Sequence, residues 1–81
     1  MTEPDLLFQC RKTLGYKQRG LARYLGHHDD HSVRRWEKGD QPIPVMLWLL
    51  LHFLLRDRGG DRGLMNDVAT VIQERRQGRP T

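Results

Sequence analysis

A small all-α domain of five helices is the fold this sequence predicts, and three observations predict it. Apolar residues recur at helical spacing in separate short stretches: Leu7, Cys10 and Leu14, then Leu21 and Leu25, then Val33 and Trp36, then Leu64, Val68 and Ile72. Glycines stand where the first two stretches end, at Gly15 and Gly26, and glycine best tolerates a left-handed helix end. The length of 81 residues holds one domain with a small core and leaves no room for a second, effector-binding one.

The first helix starts at Thr2-Glu3-Pro4-Asp5, where a hydroxyl cap precedes a proline in the first turn and acids at the positive end of the dipole. Cys10 falls on its apolar face and reads as a small buried side chain, since no histidine stands near it to activate a thiol. A second helix is expected over about Gln18 to Leu25, with Leu21, Ala22 and Leu25 inward. A third, about Asp30 to Lys38, buries Val33 and Trp36, which are three apart and share a face. Its other face carries His31, Ser32, Arg34, Arg35 and Lys38. A small buried side and a long-armed polar side is the layout for reading DNA in the major groove.

Gly39-Asp40-Gln41-Pro42 is a loop that leads to a fourth helix over about Val45 to Arg56, with Pro44 near its start. Apolar residues run around this helix instead of forming a stripe, and a helix apolar on every face must be buried on every face. Either it is a central helix wrapped by the other four, or it offers a surface to a partner. The second reading is preferred, and another copy of the chain is the simplest partner. Trp48, Leu51, His52 and Leu55, with Met65, Val68 and Ile72 of the fifth helix, are the expected dimer interface. That fifth helix, about Leu64 to Arg76, follows a polar Gly-rich loop. Residues 1–57 thus hold the first four helices, and residues 58–76 form a loop and helix packing on them or on a dimer partner. Residues 77–81 are a short basic tail, and its Gly78-Arg79-Pro80 is the centre of minor-groove AT-hook segments; a frayed terminus is the preferred reading.

The formal charge of +4 is uneven: residues 9–39 hold eight Lys or Arg against three Asp or Glu. The excess sits on the second and third helices and their surroundings, where contact with phosphates would need it. One cysteine excludes an internal disulfide and suits a reducing cytoplasm. No signal peptide is visible, and the apolar run Val45–Leu55 is short of the roughly 20 residues that span a bilayer. His27, His28 and His31 lie close in sequence, but without cysteine their spacing fits no strong zinc pattern, so no metal and no cofactor is expected. No Gly-rich phosphate loop, activated nucleophile or paired-carboxylate arrangement is evident, and no enzyme is expected.

At these residues the chain resembles the Cro and phage-repressor (Xre-type) helix-turn-helix family. The resemblance rests on Leu21-Ala22-x-x-Leu25-Gly26 followed by Val33-x-x-Trp36-Glu37-x-Gly39, with Cys10-Arg11, Gly15, Gln18 and a loop proline, over about residues 6–55. It implies a five-helix lambda-repressor-like DNA-binding domain. By that resemblance Gln18 looks like the glutamine that holds the phosphate backbone, and Lys38 and the backbone of the loop Gly39–Gln41 match positions that touch phosphates; Lys17 and Arg19, the basic neighbours of Gln18, are expected to join them. Asp30, His31 and Arg35 fall where the family reads bases, with Ser32 and Arg34 beside them as further base-reading candidates; Asp29 takes the place of the cap, and Arg11 and Glu37 look like the pair that ties the first helix to the third. Trp36 is core in this family. Three departures stand out: His27-His28 lengthens the turn by one residue, Lys17 replaces a Ser or Thr cap, and Gly20 sits inside the second helix at a cost of roughly 1 kcal/mol against Ala.

The side-chain chemistry of these candidates sets what each can do. Arg35 can fork two donors onto O6 and N7 of guanine. Asp30 either accepts from the amino group of cytosine or stabilises the helix dipole. His31 donates or accepts, and Arg34 reads a base, meets a phosphate or is a solubilising charge. The resulting expectation is a cytoplasmic, Cro-like autoregulating repressor of a phage or mobile element, binding a palindromic site on double-stranded DNA as a homodimer. The alternative is an antitoxin-type module whose fourth helix holds a partner protein, and RNA binding through the same basic face is a third reading.

Overall fold

The computed structural model describes residues 2–77 as five helices, with no strand among them: α1 (Glu3–Leu14), α2 (Gln18–Tyr24), α3 (His31–Lys38), α4 (Val45–Asp57) and α5 (Arg62–Gln77). The Gly78-Arg79-Pro80 tail lies outside the described residues. Among the described residues no helix is long and apolar enough to cross a membrane.

Local chemistry sets the helix ends. Thr2 accepts from the backbone N–H of Asp5, and the Asp5 carboxylate accepts in return from the Thr2 hydroxyl at 2.8 Å and backbone at 3.3 Å. These two hydrogen bonds hold the Asp5 carboxyl below its ordinary pKa. Gly15 and Gly39 close α1 and α3 in the left-handed conformation, at φ 82° and 83°. Lys17 precedes α2 and makes no side-chain cap bond, as expected of a lysine in a hydroxyl's place. The third helix starts one residue later than its sequence suggests.

The core is a continuous cluster in which Leu7, Cys10, Leu21, Ala22, Val33, Trp48, Leu51, Leu55 and Val68 have no exposed surface at all. Burial, and secondarily the charge of Asp67, pushes the Cys10 thiol up to about 12, so it serves as a small apolar side chain. The helix α1 is the common neighbour: it packs on α3, α4 and α5, while α2 packs on α3 and α4 on α5. The fifth helix therefore packs on its own chain, and Glu3 at the start of α1 takes a two-point ion pair from Arg75 near the end of α5. Arg58 in the loop between α4 and α5 donates to the Leu14 carbonyl and the Tyr16 hydroxyl, fixing that loop to the end of α1.

The expected dimer interface requires a correction. Trp48, Leu51, Leu55 and Val68 lie wholly inside the protomer and have no surface to offer another chain. Only His52, Met65 and Ile72 of that set are partly exposed. Nor is α4 wrapped on all sides. Its inner face holds Leu47, Trp48, Leu51, Leu54 and Leu55, while Met46, Leu49 and Phe53 stand exposed and Leu50 half-buried.

Candidate nucleic-acid interface

The third helix splits cleanly between core and solvent. Val33 and Trp36 go inward, and His31, Arg34, Arg35 and Lys38, at spacings of three and four, form one exposed stripe. The stripe belongs to a helix held in place from behind by a largely buried polar network. Arg11 of α1 grips both carboxylate oxygens of Glu37, with Nε at 2.6 Å and its second terminal nitrogen at 3.2 Å. Its other terminal nitrogen donates to the Tyr16 carbonyl at 3.0 Å, and the Gln18 amide donates to Glu37 at 2.9 Å. One carboxylate thus joins the end of α3 to α1 and to the first residue of α2. The expected pairing of Arg11 with Glu37 is present.

The same network alters the reading of Gln18. One amide hydrogen is committed to Glu37, and only the other is left for a phosphate oxygen. Lys17, Arg19, Lys38 and Gln41 are exposed. Arg23, which the sequence reading did not single out, is exposed as well; its spacing of four from Arg19 was the available signal. Gly20 sits half-buried beside Tyr16, and a Cβ there would meet that ring at 3.8 Å, an ordinary contact. No steric demand for glycine arises within the chain at this position.

The start of α3 differs most from expectation. Asp29 accepts from the His31 backbone N–H at 3.1 Å, so it does satisfy a helix-end donor, from one position outside the cap. Asp30 occupies the cap position but makes no cap bond. Its side chain is only 12% exposed and its carboxylate accepts from Nε of Arg34 at 3.2 Å. Asp30, expected to read a base, is instead an inward carboxylate engaged by Arg34 and does not belong to the exposed stripe. Ser32 is half-buried and off the exposed stripe.

This pairing changes what Arg34 can do. Asp30 holds the Nε edge of the guanidinium, while the side chain stays 61% exposed and its two terminal nitrogens are left for an external acceptor. A planar fork fixed at one edge suits a two-point acceptor such as the O6/N7 edge of guanine, or a phosphate. Arg35 has no ion-pair partner among the described residues and is held less tightly.

The turn between α2 and α3 runs over residues 25–30. Gly26 adopts φ 87°, and the His27 N–H donates to the Ala22 carbonyl at 2.9 Å. The His27 ring meets Trp36 edge-on, with centroids 6.2 Å apart. The turn thus packs His27 against the tryptophan, while Val33 and Trp36 face inward. Among the described residues no three His, Cys, Asp or Glu side chains gather into a metal-holding group.

Comparison of the chain with protein-family models, with curated proteins and with solved structures finds no match in any of the three.

Proposed function

We propose that this chain is a sequence-specific, double-stranded-DNA-binding regulator of the helix-turn-helix kind, without enzymatic activity. In this reading α3 enters the major groove, and Arg34, Arg35 and His31 face the bases. Lys17, Arg19, Lys38 and the free amide hydrogen of Gln18 meet phosphates, with Gln41 of the following loop beside them. The observation that carries the proposal is the exposed stripe of α3 with Arg34 pre-set by Asp30, on a helix locked from behind by Arg11 and Glu37. A side chain held ready loses less freedom on binding, which favours a definite base contact over diffuse attraction. In this reading occupancy follows the protein's own concentration, as in a Cro-like autoregulating repressor on a palindromic site.

The basic surface also sets a test that discriminates reading from attraction. Arg34→Ala and Arg35→Ala are expected to weaken binding to a preferred duplex about tenfold or more each, at about 1–3 kcal/mol per two-point base contact. Lys38→Ala is expected to weaken preferred and unrelated duplexes alike and to flatten the salt dependence by about 0.9 in log–log slope, the share of one phosphate. Fluorescence anisotropy over a salt series measures all of these. Equal losses on both duplexes for both arginine variants would reject base reading. Stronger competition by structured RNA than by duplex DNA would reject the choice of nucleic acid.

A second reading is favoured by one observation. Met46, Leu49 and Phe53 are large apolar side chains left exposed on α4, which an antitoxin-type module would use to hold another protein.

A further inference from the structure

The outer face of α4 carries Met46, Leu49, Leu50 and Phe53, spaced by three, one and three, so that they line up as a single stripe. Met46 is 70% exposed and Phe53 54%. Beside the stripe, an open groove of about 630 Å³ runs between α4 and α5, with Leu49, Ala69 and Ile72 as its apolar lining and His52, Gln73 and Arg76 as its polar part. The same surface therefore bears apolar knobs and a hole that can take them. A patch with both is what a two-fold interface between identical chains requires, because each surface must complement itself.

Charge narrows the choice of occupant. No Asp, Glu, Lys or Arg occurs from Val45 to Leu55, although the chain carries +4 overall. Two copies meeting through this stripe bring no fixed charges of the stripe together and desolvate none. A strongly acidic partner would find Arg76 as the one cation lining the groove. The exposed stripe of α3 shares no residue with the α4 stripe or the groove, so pairing through α4 does not use it.

Area sets the strength. The apolar surface left open is the side chains of Met46, Leu49, Leu50 and Phe53, against about 20–30 residues a side in a standard stable interface. We propose that a second copy of this chain seats its Phe53 and Met46 against the Leu49–Ile72 groove of the first, forming a weak, reversible dimer. Two adjacent half-sites would complete it by raising the local concentration of one copy near the other. That last step rests on the DNA-binding reading; the dimer itself does not.

Analytical ultracentrifugation of the full chain over micromolar to millimolar concentrations tests the interface without DNA. The wild type is expected to show a reversible monomer–dimer equilibrium. Phe53→Glu is expected to weaken it by about thirtyfold, as loss of a central aromatic anchor does. Met46→Lys provides a second, more exposed change should the first disturb folding, and Tyr24→Ser, an exposed aromatic on α2, is expected to leave the equilibrium alone. A wild type that stays monomeric throughout overturns the proposal and leaves a different protein as the occupant. So does a dimer indifferent to both α4 variants. Binding to a single half-site duplex separates the two readings: Phe53→Glu should match wild type there, so loss of the dimer and loss of DNA recognition are read independently.

Discussion

Asp30 shows how a single residue alters the expected division of labour on α3. By position it is a reader at the tip of the helix, and by environment it is a buried brace for Arg34. The two roles are separated by which base loses its preference, a cytosine read by Asp30 itself or the guanine read by Arg34. If Asp30 positions Arg34, Asp30→Ala lowers affinity for the preferred duplex about tenfold, within the 1–3 kcal/mol of one two-point base contact. Affinity for unrelated duplexes holds or rises, because a negative charge has left the basic face. Restoring guanine-containing and substituted sites to the same assay makes the result specific: preference at one base pair should relax, with the others unchanged. A parallel loss on all duplexes would mean that the carboxylate supports only the fold. The sequence pattern placed Asp30 near the right spot, but spacing alone does not say whether a short acid at a helix start turns inward. Its direction depends on Arg34 lying one turn along and on Asp29 having already taken the His31 N–H.

At the scale of elements, the joint between α1, α2 and α3 is held by one largely buried carboxylate. Arg11 and Glu37 are each 9% exposed in their side chains, and Gln18 and the Tyr16 carbonyl fill out the network. Removing one member of a buried pair leaves the other charge without compensation, at about 3–5 kcal/mol. Arg11→Met is therefore expected to lower Tm by more than about 10 °C in a domain of this size, as read by thermal unfolding. The double variant Arg11→Met, Glu37→Met should recover much of that loss, since no lone charge then remains. Strictly additive losses would show that the pair is not coupled. This joint was legible in advance only through the family resemblance, because nothing in the local pattern links positions 26 residues apart. The helices themselves were legible from physics: caps, glycine ends and apolar spacing located all five, to within one or two residues at their ends. The burial of α4 was not. Its composition is apolar all round, so the sequence could not say which side faces the protomer; packing against α1 and α5 decides that, and it turns Trp48, Leu51 and Leu55 inward while leaving Met46, Leu49 and Phe53 outside.

The whole molecule has two distinct exposed stripes on one small core, a basic one on α3 and an apolar one on α4, with α1 joined to both helices. The proposed account joins them, with base reading by the first and pairing of two copies by the second, so that a two-fold protein meets a two-fold site. Its central claim is that the chain prefers particular DNA sequences, and selection of bound duplexes from a random library at near-physiological salt tests that most directly. The account predicts enrichment of an inverted repeat with half-site centres about one helical turn, ~34 Å, apart. Each half-site should carry a guanine whose preference disappears with Arg34→Ala. Recovery of no common sequence, with binding that simply fades as salt rises, would contradict it and reduce the α3 stripe to a non-specific basic surface.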